Sequence, residues 1–138
     1  MFRIVMVSSL LAACGGGVSD TGTAVDYART VVTDLGQWTV TVDSDPDPIP
    51  PNDLFSLDVT VAGEGVSGEL FVEVDASMPQ HNHGMNTQPE TTWVDGERWR
   101  TEGMLFHMTG DWRITVAIDD GETYERAFIW VDCCEPPA

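Results

Sequence analysis

Trp38-Thr39-Val40-Thr41-Val42-Asp43 alternates large apolar and polar side chains without a break. Successive side chains of a pleated strand point to opposite faces, so this stretch reads as a strand with one buried and one wet face. The same alternation returns at Phe55, Leu57, Val59 and Val61, at Leu70, Val72 and Val74, and at Trp112, Ile114, Val116 and Ile118. Further strands are predicted near Thr91 to Val94, Glu97 to His107 and Thr123 to Val131. Asp95-Gly96 and Asp120-Gly121 are two-residue hairpin turns, in which glycine supplies the positive φ. Residues 45–51, Asp-Pro-Asp-Pro-Ile-Pro-Pro, form a stiff loop, because proline cannot donate to a strand ladder. About seven short strands and no long helical period predict an all-β chain, an immunoglobulin-like antiparallel β-sandwich. The Trp and Phe residues fall mostly at inward positions and belong to its core.

Residues 1–13 read as a processing signal, with Arg3, a short apolar stretch and then Leu11-Ala12-Ala13-Cys14-Gly15. The apolar run is far shorter than the ~20 residues that span a bilayer. The pattern resembles a bacterial lipobox, which implies lipidation of Cys14, and two or three acyl chains make such anchoring stable. Gly15 rather than Asp after that cysteine points to the periplasmic face of the outer membrane as the location. Residues 14–36, rich in Gly, Thr, Ser and Asp, read as a flexible tether with room for a short helical turn or an extra edge strand. Residues 37–134 are the sandwich domain, and 135–138 a C-terminal tail. About 125 residues after processing suffice for one domain with a real core and not for two.

The formal charge is −17, and all six basic residues are arginine. Nucleic acid is excluded as a partner, since binding phosphates needs clustered Lys and Arg. Such acidity serves solubility, suits a salty habitat and gathers cations. Beyond Cys14 the cysteines are the adjacent Cys133 and Cys134. In an oxidising compartment a disulfide between neighbours closes a cramped ring, which leaves an intermolecular bridge, a bridge to another protein or a free thiol pair as alternatives.

Met78-Pro79-Gln80-His81-Asn82-His83-Gly84-Met85 is the segment with chemistry in it, and His107-Met108 is its counterpart further on. Thioether and imidazole are the soft ligands left where thiols oxidise; both suit Cu(I), and imidazole also suits Cu(II) and zinc. Histidines two apart on an extended segment project to one side, so His81 and His83 can share an ion, with Gly84 allowing a sharp turn behind them. If the strands alternate in direction, the loops at 44–52 and 76–90, the turn at 107–111 and the exit at Cys133 share one end of the sandwich. The same count brings the tether in at the opposite end.

The order Trp38-Thr-Val-Thr-Val, the Pro-rich loop, Asp58-Val-Thr-Val, Met78-Pro-Gln-His-Asn-His-Gly-Met and Leu105-Phe-His-Met-Thr-Gly-Asp-Trp resembles the YtkA-like and FixH-like exported domains. The resemblance covers roughly Gln37 to Val131. It implies a small β-sandwich, often lipid-anchored, and the FixH-like members are linked to copper handling and oxidase assembly. FixH-like proteins typically carry a transmembrane anchor, which this chain lacks.

The leading expectation is a membrane-anchored protein of the cell envelope that binds copper, Cu(I) before Cu(II) or zinc, for buffering or delivery to an exported copper protein or oxidase assembly component. His81, His83 and Met85 lead the ligand set, then Met78 and His107, then Met108. The competing expectation is a metal-free module that docks on an envelope partner. A calcium site at Asp43, Asp45 and Asp47 lacks the ordered loop and closing bidentate Glu of strong sites. An enzyme is not expected: there is no serine elbow, phosphate-cradling glycine loop or HExxH helix.

Overall fold

The alternating segments pair into two antiparallel sheets that face each other. The computed structural model describes residues 25–134, so the signal segment, Cys14 and the 135–138 tail lie outside the described residues. The strands are β1 (Thr30–Val32), β2 (Thr39–Asp45), β3 (Leu54–Ala62), β4 (Phe71–Met78), β5 (His83–Gly84), β6 (Glu90–Asp95), β7 (Arg98–Leu105), β8 (Gly110–Asp119) and β9 (Tyr124–Cys133). One sheet runs β1-β2-β3-β7-β6 and the other β5-β4-β8-β9. No described helix is long and apolar enough to cross a membrane. The sandwich expected from the alternation is the observed fold, with β1 and β5 added as short edge strands.

The core follows the period-two reading. Trp38, Val40, Val42, Leu57, Val59, Val61, Trp112, Ile114, Val116 and Ile118 are all buried between the sheets. One phase change breaks the pattern in β7. Trp99 and Thr101 are buried, but the next inward residues are Met104, three positions on rather than two, and Phe106. The register with β3 shifts between Phe55 and Leu57, so β7 carries one extra residue, and Gly103 sits there at φ +86. A glycine in that conformation is the usual way to insert a bulge. The bulge turns Phe106 inward and delivers His107 and Met108 to the corner before β8.

The registers set the two ends. Leu54 pairs with Leu105, His83 with Met78 and Gly110 with Cys133, so the 46–53 loop, the 79–82 turn, the 106–109 corner and the exit of β9 share one end, as expected. The entry of the chain is different from the expectation. β1 pairs antiparallel with β2, Thr30 against Thr41 and Val32 against Thr39, which adds one reversal that the strand count omitted. Residues 25–29 therefore approach from the Met/His end, where the Tyr27 hydroxyl donates to Asp111 Oδ1 at 2.6 Å.

At the far end, Glu125 is buried and accepts from Thr33 Oγ1 at 2.7 Å and from Gln37 N at 3.1 Å. Asp34 exchanges bonds with the Arg126 backbone, giving its N–H to the carbonyl and accepting at its carboxylate. These contacts tie β1 to β9 across the open side of the sandwich and spare the Glu125 carboxylate an unpaired burial.

Candidate functional site

Two segments build the site, and each is placed by a local feature. In the first, Met78 closes β4 and faces His83 of β5 across the ladder, so the two share one face. Met78 is buried in the core. Between them the chain makes a tight turn, His81 N–H donating to the Met78 carbonyl at 3.0 Å and Asn82 N–H to that of Pro79 at 3.3 Å. Asn82 takes φ +55, a left-handed conformation that asparagine adopts more readily than most residues. The reversal thus falls on Asn82, while Gly84 pairs with Ser77 in the sheet. His81 is exposed on that turn rather than on an extended segment, and its ring centre is 5.9 Å from that of His83.

The second segment is the β7–β8 corner. Phe106 stacks on Trp112 with ring centres 4.4 Å apart and an interplanar angle of 6°, and Trp112 Nε1–H donates to the Met108 carbonyl at 2.9 Å. That bond fixes the backbone of the corner from inside. His107 lies 5.1 Å from His83, ring to ring, and both imidazoles stand nearly edge-on to Trp112, at 5.6 and 5.8 Å.

The segments meet at His83 and Met108. His83 Nδ1 is 3.1 Å from the Gly84 carbonyl oxygen, and Nε2 is 3.2 Å from Met108 Sδ. A carbonyl oxygen only accepts, so in the neutral ring Nδ1 carries the proton and Nε2 presents its lone pair to the sulfur. The imidazole nitrogen and the thioether sulfur are thus direct neighbours. His107 Nδ1 is buried with no hydrogen-bond partner among the described residues. Buried polar nitrogens without partners are uncommon, and this one belongs to a ring centred 5.1 Å from that of His83.

Of the six candidate ligands, the structure brings His83, His107 and Met108 together, with His81 at their exposed rim and Met78 beneath. Met85 is half-buried against the core and lines a separate cavity with Glu73, Thr87 and Gln88. Among the described residues no three His, Cys, Asp or Glu side chains gather as a metal site. That holds for Asp43, Asp45 and Asp47 too, and Asp45 is engaged by Arg100 at 3.0 Å.

Cys133 and Cys134 are buried and are joined to each other as neighbours in the chain. Cys133 pairs with Gly110, which puts the disulfide at the same end as the histidines. Trp112 is the site residue that sequence reasoning misses. Its inward phase marks it as core, and only the corner geometry brings both imidazoles to its ring.

The YtkA-like family model matches residues 33–117, well over half of the chain. The chain belongs to the YtkA-like family. No curated protein and no solved structure matches it significantly. The YtkA-like span holds every candidate ligand from Met78 to Met108 and Trp112 as well, whereas β9 and the cysteine pair follow it.

Proposed function

We propose that this YtkA-like protein is a lipid-anchored protein of the cell envelope that binds one Cu(I) ion at the His83, Met108 and His107 corner, and buffers it or hands it to another exported protein. The observation that carries the reading is the approach of His83 Nε2 to Met108 Sδ, 3.2 Å apart. An ion about 2.0 Å from the nitrogen and about 2.3 Å from the sulfur would see them at an angle of about 95°. Imidazole with thioether is a soft pair that favours Cu(I) over zinc. His107 supplies the third donor, and the exposed His81 is placed to receive or pass on the ion. The Leu11-Ala12-Ala13-Cys14-Gly15 pattern supports the anchor and the export that comes with it.

The test is an anaerobic Cu(I) titration of the full-length protein against a competing chelator. One tight equivalent is expected, lost in the His81→Ala/His83→Ala double variant. Met108→Leu should weaken Cu(I) by at least roughly tenfold and leave zinc nearly unchanged, because only the soft donor is removed. Absence of a tight equivalent, or undiminished binding by the double variant, overturns the proposal.

A further inference from the structure

Arg113 stands beside the Met/His corner in an unusual state. Each of Arg98, Arg100 and Arg126 meets a carboxylate. Arg113, like Arg29, forms no ion pair with any described residue, although the chain has 23 acidic residues against six arginines. Its Nε is buried without a hydrogen-bond partner. An unpartnered buried N–H costs about 1–3 kcal/mol, so the position is not one that stability alone selects.

Aromatic rings hold the side chain instead. Its guanidinium carbon lies 5.1 Å from the centre of Phe128 and 5.9 Å from that of Trp130, both on β9. Such contacts engage the π system of the ring and leave the N–H groups of the guanidinium uncommitted. Across the ladder Arg113 pairs with Ser77, and the two residues line an open cavity of about 410 Å³ together with Asn82 and His83. Arg113, Ser77 and Asn82 are among the lining residues, and no described Asp or Glu is.

We infer that this cavity is a binding site for a single carboxylate group, held by Arg113 with Ser77 and Asn82. A carboxylate fits a guanidinium edge through parallel N–H···O bonds. One arginine balances a monoanion, whereas a phosphate dianion would keep excess charge in a molecule already at −17. The carboxylate comes from a small free acid or from an acidic side chain of a peptide. Because His83 lines the same cavity, the bound group adjoins the corner described above, but the inference goes beyond the copper reading and stands without it.

Metal-free full-length protein, followed by ¹H–¹⁵N NMR, tests the inference. Sodium acetate should shift the Arg113 Nε–H and the Ser77 and Gly84 amides along a saturable curve, and sodium chloride at the same ionic strength should not. A capped Gly-Glu-Gly peptide compared with Gly-Gln-Gly reports the second source. Saturation by acetate assigns a free acid, and saturation by the Glu peptide alone assigns an acidic chain; either supports the site. Arg113→Gln should weaken the response at least roughly tenfold and Arg113→Lys less, since lysine keeps the charge without the planar fork. Should the Gln variant fail to fold, the Lys variant and Ser77→Ala carry the comparison. No saturable shift from either carboxylate, an equal response to chloride, or unchanged affinity in the variants overturns it.

Discussion

Gly110 shows how little room a single residue has at this site. It sits at φ +127, and a Cβ added there would come within 3.0 Å of the Met78 methyl carbon. Gly110→Ala should therefore lower stability by about 1–3 kcal/mol through backbone strain and displacement of Met78. Gly121→Ala, at φ +91 with nothing within 4 Å, carries the backbone strain alone. Urea unfolding of both variants separates the two effects, and equal losses would show that Met78 moves aside freely. The residue types of the site were readable in advance. Only His and Met are left as soft donors once the cysteines are oxidised, and His81, His83 and His107 are all the histidines of the chain. What the residues could not show is which of them converge. Met78 and Met85 look equivalent in the sequence, yet one ends beneath His83 and the other turns to a separate cavity. That choice depends on where the Asn82 reversal falls.

Among the elements, the strap before β1 makes the sharpest prediction. Tyr27 is half-exposed, and its phenol is pushed up from 10.0 to about 12, chiefly by donating to Asp111, then by desolvation and by the charges of Asp111 and Asp132. A phenol with a raised folded value supports the fold fully below its unfolded pKa near 10 and loses that support as pH rises through about 12. Absorbance titration should show this tyrosine ionising late, and Asp111→Asn should move it back toward 10; an unmoved transition would mean that the strap is not docked on β8. Strands with long alternation were legible from sequence, as were the Asp95-Gly96 and Asp120-Gly121 hairpins, although the one at Asp120-Gly121 closes through the four residues 120–123 rather than two. Three elements were not fully so. β1 and β5 are three and two residues long, too short to display a period. The β7 bulge hides its phase change behind Gly103, although a glycine inside a strand pattern is a signal for such a bulge.

For the molecule as a whole, charge matters most beyond the core. A formal charge of −17 on a single small domain repels itself, and the described ion pairs, such as those of Arg98 and Arg100, offset only part of it. Raising NaCl from about 0.01 to about 0.15 M should raise Tm, because screening weakens that repulsion more than it weakens the exposed pairs. A flat or falling Tm would mean that the surface pairs matter more than their exposure suggests.

The entry of the chain at the Met/His end gives the proposed anchor a spatial consequence. Cys14 is twelve positions before Asp26, and a fully extended chain of that length reaches about 40 Å. Tyr27 fastens the near end of that leash to Asp111, next to Trp112 in the chain. If Cys14 carries the lipid as proposed, the histidine corner would patrol a thin layer of water next to the bilayer. Its encounters would then become a search in two dimensions, favouring partners that share the membrane over those that diffuse in the bulk.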